Sequence, residues 1–202
     1  MSISHAVSLI VIAGELPHAD LHEIPLRLGA GAKIGKWAAQ LDTALIGLPD
    51  RSIVVAEGIA AIAFAHWAQL SPPVYWRHIA GAVLLDPAAP RDWARAGFTT
   101  TPTTPLPFPS LLVGSETSTG PHQLELASRW RSRFLTRDGA LRGGGGDAIE
   151  ARLLAALRFC LAPRGWSLRG IAPRLTTWFD GLARRCGHIV HAAGFSGDET
   201  GR

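Results

Sequence analysis

Residues 52–70 read SIVVAEGIAAIAFAHWAQL, and this stretch decides the fold. It opens with SIVVA, an apolar and β-branched run of the kind found in a strand buried on both faces. It closes with AAIAFAHWAQL, an alanine-rich stretch suited to a mostly buried helix. Only Glu57, Gly58 and Ile59 stand between the two, so strand must pass into helix through a tight turn. Glycine tolerates the strained backbone of such a turn at least cost. Pro72 and Pro73 stop the helix.

The pattern continues on both sides. Residues 7–13 (VSLIVIA) form another continuous apolar run, ended by Gly14. Residues 15–34, punctuated by Pro17, Pro25, Gly29 and Gly31, read as loop. Residues 35–45 (GKWAAQLDTAL) set Trp37, Leu41 and Leu45 four apart, on one face of an amphipathic helix. Downstream, residues 79–85 (IAGAVLL) predict a strand that ends at Asp86-Pro87. A Thr/Pro-rich loop over 99–109 precedes a further strand over 110–113 (SLLV), and 123–134 (QLELASRWRSRF) reads as a helix. Strands that alternate with helices imply an α/β fold. The expectation is a mostly parallel, doubly wound sheet of about five or six strands with flanking helices. Such sheets bind ligands at the carboxyl ends of their strands. The places to look are therefore Gly14-Glu15, Glu57-Gly58, Asp86 and residues 114–118.

Composition narrows the class. The chain has 202 residues, 47% of them hydrophobic and 18% charged, enough for one packed domain. A net charge of +4 favours anionic partners. The arginines are spread through the second half without a dense run or a nucleic-acid motif, so nucleic acid is not an expected partner. Cys160 and Cys186, the only cysteines, are too few for a disulfide framework or a zinc ribbon. No motif calls for a metal or another cofactor. The start MSISHAVSLIVIAG lacks a basic leader region, and its apolar run is too short to span a bilayer, which predicts a soluble cytoplasmic protein.

Beyond the fourth strand and its helix, residues 135–180 read as a helical insertion within a single domain that spans residues 1–202. It holds the four-glycine run at 143–146, a flexible joint, an amphipathic stretch expected to be helical at 148–161 (AIEARLLAALRFCL), and the start of a second at 174–186 (RLTTWFDGLARRC). One expectation is an insertion that packs on the outside of the fold. A sharper one is a lid or a partner-binding surface.

Several segments carry a resemblance. VVAEGIAAIAFAHWA at 54–68 resembles the "LVAHSLGCLAVAHWA" type of segment in small serine hydrolases related to retinoblastoma-binding protein nine. KWAAQLDTAL at 36–45 looks like the helix before that family's nucleophile strand. IAGAVLLDPAAP at 79–90, LPFPSLLVGSETS at 106–118 and GHIVHAAGF at 187–195 are similar to three further family segments, in the same order. The resemblance implies an α/β-hydrolase fold with a nucleophile on the strand-to-helix turn and an oxyanion hole formed by backbone N–H groups.

Carried over residue by residue, the family's functional positions are only partly kept. The nucleophilic serine falls on Gly58 and the residue before it on Glu57. The acid falls on Ser118, after Thr117, and the histidine falls on His188. The resemblance implies that Ile59 and Glu15 lie at the oxyanion-hole backbone positions, although the family's Gly-rich first turn has no clear counterpart near Glu15. Each position also has a plain structural role open to it. Glu57 is equally a pocket carboxylate or a solvated turn residue. Asp86 is an alternative acid for His188 or a turn cap before Pro87. His188 is a base or a pocket-lining residue, and its match is a coincidence if the insertion displaces it. His66 and Trp67 are expected to be packing residues. Ser115 and Ser118, at another strand end, cannot simply replace the nucleophile.

Two functions fit this pattern. One is a pseudo-hydrolase that keeps the fold and binds a small-molecule ligand or a protein partner, with homo-oligomerisation left open. The other is a nucleophile-free lyase or isomerase in which His188, with Asp86 or Glu57, acts as general base.

Overall fold

The computed structural model describes residues 8–13, 22–26, 34–48, 52–98, 100, 102–114 and 120–136. These build one six-stranded sheet: β1 (Ser8–Ala13), β2 (His22–Pro25), β3 (Ser52–Glu57), β4 (Ile79–Leu85), β5 (Ser110–Gly114) and β6 (Arg133–Thr136). The strand order is β2-β1-β3-β4-β5-β6, and every pairing is parallel. The connecting helices are α1 (Ile34–Ile46), α2 (Ile59–Leu70), α3 (Pro73–Trp76), α4 (Pro90–Arg95) and α5 (Gly120–Trp130). The α/β sheet expected from the alternating pattern is thus present, with flanking helices.

The pattern of apolar residues explains the packing. Trp37, Leu41 and Leu45 are all buried, so the face they share on α1 lies against the core. In α2, Ala60, Ala61, Ala63, Ala65 and Ala68 are buried beside Ile62 and Phe64, and the small side chains let this helix sit close to the sheet. The indole N–H of Trp67 donates to Asp42 Oδ1 at 2.7 Å and ties α2 to α1. These helices share one core with Ile10, Ile12, Val54, Ala56, Ala82, Leu84 and Leu112 of the sheet, a set of residues that occupies a single sheet face.

Several elements differ from expectation, among them the short helices α3 and α4, which no pattern marks. β2 lies within the stretch that reads as loop. It is a short edge strand ending at Pro25, and a strand of four residues offers too little alternation to stand out. The helix expected over 123–134, α5, stops at Trp130 rather than at Phe134, and Phe134 belongs to β6. The stop is made by Arg131, whose φ is 54°. Its amide donates to Ser128 O at 3.2 Å, and the amide of Ser132 donates to Ala127 O at 2.9 Å. This is a Schellman C-cap formed without the usual glycine.

Candidate functional site

The carboxyl ends of β3, β4 and β5 are laced together by backbone hydrogen bonds. Glu57 is the last residue of β3, in register with Leu85 at the end of β4. The next amide, Gly58 N–H, donates to Leu85 O at 2.9 Å. One strand over, Asp86 N–H donates to Val113 O at 2.8 Å, and Ala88 N–H returns to Gly58 O at 3.1 Å. A strand edge, a turn and the loop after the next strand are therefore fixed relative to one another by backbone alone.

Gly58 sits at φ 57°, ψ −121°, in the positive-φ half of backbone space that side-chain-bearing residues seldom occupy. This is the sharp, strained strand-to-helix turn that an α/β hydrolase uses to present its nucleophile. A Cβ built on Gly58 would meet nothing within 4 Å, so a side chain at this position would project into open space. Ile59 is the first residue of α2. The first amides of a helix have no acceptor within the helix, and the N-cap, Gly58, has no side chain to supply one. The amide of Ile59 is thus in place to donate to a negatively charged oxygen held above the turn.

Glu57 is exposed and Asp86 is half-buried, and both occupy strand ends flanking the turn. Asp86 has a φ of 37°, a left-handed conformation that aspartate accepts more readily than most residues. The structure places Glu57, Gly58, Ile59 and Asp86 together at the carboxyl ends of the two central strands, β3 and β4. Glu15, Ser118 and His188 lie outside the described residues, as do Gly14, Ser115 and Thr117. His66 is a packing residue as expected: its ring stacks on Phe98 at 5.2 Å, and its Nε2 lies 2.8 Å from Thr100 O. Burial pushes its pKa below 6.5, only partly offset by that hydrogen bond.

Pattern reading did not single out a second histidine. His122, in the first turn of α5, packs against Trp93 of α4 with ring centroids 5.1 Å apart. The indole N–H of Trp93 donates to Ala88 O at 2.7 Å, so Trp93 links His122 to the loop that holds Gly58. His122 Nε2 is buried and has no hydrogen-bond partner among the described residues. Burial lowers its pKa most, Glu125 raises it and Arg129 lowers it further, which favours the neutral ring. A lone histidine after a loop carries no motif, and nothing in the linear sequence marks it.

Among the described residues, no group of three or more His, Cys, Asp or Glu side chains is arranged to hold a metal ion. No helix among them is long and apolar enough to cross a membrane.

Comparison with known proteins agrees with this fold. The family model described as "Serine hydrolase" matches residues 14–140, well over half of the chain. Among solved structures, a protein described as a YdeN-like hydrolase from Pectobacterium atrosepticum superposes with a TM-score of 0.50. It shares 18% sequence identity, and the match covers 65% of this chain and 76% of that one, a likeness that speaks for the fold alone. No curated protein matches the chain significantly.

Proposed function

We propose that this chain, which belongs to the serine hydrolase family, is a pseudo-hydrolase that binds a ligand or a partner at the carboxyl edge of its sheet and does not form an acyl-enzyme. The observation that carries this reading is Gly58. The turn has the shape that presents a nucleophile and has room above it, yet its central residue has no side chain. Without a hydroxyl there is no oxygen to attack an acyl carbon, so a histidine base would have nothing to activate. Removing the nucleophile from a triad enzyme leaves only what binding and the oxyanion hole contribute. The likeness of several segments to hydrolases related to retinoblastoma-binding protein nine supports an origin in that branch. The acid position at Ser118 supports a loss that extends beyond the nucleophile. A soluble cytoplasmic location and a single domain with an insertion over residues 135–180 belong to the same reading.

A second function has one observation in its favour. Asp86 is held in a left-handed conformation at a strand end next to the turn, and strained backbone recurs at working sites. Asp86 or Glu57 would then orient His188 as the base of a lyase or isomerase, with the Ile59 amide stabilising the developing anion.

The experiment is a pair of measurements. A fluorophosphonate probe should leave the natural chain unlabelled, and labelling would overturn the assignment of Gly58. A Gly58→Ser variant assayed on short p-nitrophenyl esters then asks what else survives. No labelling and no turnover is the expected result for a chain whose acid has also gone. Turnover by the variant would show an intact acid and base, and the loss would reduce to one residue.

A further inference from the structure

All strands of the sheet are parallel, so they all start at one edge, the amino edge, opposite the Gly58 turn. The helices that lead back to this edge end there. α1 stops at Ile46 and α2 at Leu70, and the chain then turns through Pro72 into α3 before β4 begins. α1 and α3 touch each other, so these helix ends form one cluster.

Four large apolar side chains are exposed among the described residues, and three of them lie in this cluster. Leu70 is 75% exposed and Ile46 and Val74 are 54% exposed, whereas the fourth, Leu124, stands apart on α5. Tyr75 and Trp76, next in the chain, are half-buried against the core. A scattered apolar side chain on a surface needs no explanation, but a group of them does.

The charges at this edge have one sign. Arg77 and His78 follow α3, Arg131 follows α5, and Arg133 opens β6. Among the described residues no carboxylate stands beside them. Asp42 lies one turn further from the edge than Ile46 and accepts the Trp67 indole N–H, and Glu125, further up α5, pairs with Arg129. Asp50 and Arg51, just before β3, lie outside the described residues and cancel in charge.

We propose that the amino edge docks on an anionic lipid surface, with Leu70, Val74 and Ile46 set into the headgroup and acyl boundary and Arg77 among the headgroup phosphates. A side chain that is three-quarters exposed projects from the surface and does not line a groove. A bilayer takes up projecting apolar side chains anywhere on its surface, whereas a peptide or a second copy has to offer a cavity shaped for them. Two copies meeting here would also bring two basic edges together, with like charges opposed. Tryptophan and tyrosine beside the projecting residues suit the headgroup layer, and basic residues suit its phosphates. No described helix is long and apolar enough to cross a membrane, so the contact is one of lying on the bilayer. Docking by this edge turns the Gly58 turn away from the lipid.

Co-sedimentation of the full chain with vesicles tests this. Vesicles of equal parts phosphatidylcholine and phosphatidylglycerol should bind it about tenfold more than phosphatidylcholine alone, and high ionic strength should remove the excess. A net charge of +4 would by itself draw the chain to anionic vesicles, so the deciding arm is charge-neutral. Leu70→Ser combined with Val74→Ser should weaken binding about tenfold at an unchanged melting temperature. Leu124→Ser, at an equally projecting site elsewhere, should leave binding as it was. Arg77→Gln should lower binding to the anionic vesicles alone. No binding to the anionic vesicles would overturn the proposal, and so would equal loss from the Leu124 variant or none from the Leu70 and Val74 pair. A dimer in sedimentation velocity that the same pair dissolves would also overturn it, by making a second copy the occupant.

Discussion

The amide of Ala88 donates to the carbonyl of Gly58 across 3.1 Å, so the loop after β4 holds the turn after β3 in its strained shape. The strain is imposed by neighbours and is independent of any side chain at position 58. Gly58→Ser should therefore fold, because open space surrounds the new Cβ. It should also lose about 1–3 kcal/mol, the cost of holding an L-residue in a sparsely populated positive-φ conformation. Thermal unfolding should show the melting temperature falling by a few degrees. An unchanged or raised value would mean that the turn relaxes on substitution.

Arg131 pays a similar penalty at the end of α5, where φ is 54° and the Schellman bonds require it. Arg131→Gly should raise stability by about 1 kcal/mol, measured as a higher urea midpoint with an unchanged slope. A loss of stability would show that the arginine side chain makes a contact worth more than the strain.

Gly114 closes β5 and has no room for a larger residue. A Cβ there would collide with Gln123 Oε1 and approach Phe134 Cε2 to 2.9 Å. Gly114→Ala should cost about 1–3 kcal/mol through overpacking between β5, α5 and β6. Chemical denaturation would report it, and a neutral result would mean that Phe134 swings aside freely.

Stability should fall on acidification. Burial lowers the pKa of both His66 and His122 below 6.5, so the folded chain holds these protons less tightly than the unfolded chain does. Their contribution is complete above pH 6.5 and is lost as the pH drops from there through the lower folded values. Urea unfolding between pH 8 and pH 5 should show this decline. The double variant His66→Gln, His122→Gln should flatten it in that window, and an unaltered slope would assign the decline to other groups.

The sequence made the centre of the sheet legible and its edges obscure, for a physical reason. β3 and β4 are buried on both faces, so uninterrupted SIVVA and IAGAVLL betray them. At the edges, β2 and β6 have four residues each, and β6 is at best half-buried, so no run of apolar residues announces them. The Gly58 turn was readable because strand and helix abut without a spacer. His122 is not, because its link to the turn runs through Trp93 and Ala88, which only the folded chain brings together. Asp86 is legible from its position at a strand end, but its left-handed backbone has no mark in the sequence.

The hydrogen bonds around Gly58 also bear on how such a protein arises and persists. Because Leu85 and Ala88 hold the turn through backbone atoms, losing a serine there would not dismantle the frame. Glycine is the least strained occupant of that frame, so under the proposed reading a change from serine to glycine would relieve a standing cost. Two of the four glycine codons lie one base change from serine. Under that reading the same elbow would be an easy exit from catalysis and would leave the geometric half of a return path standing.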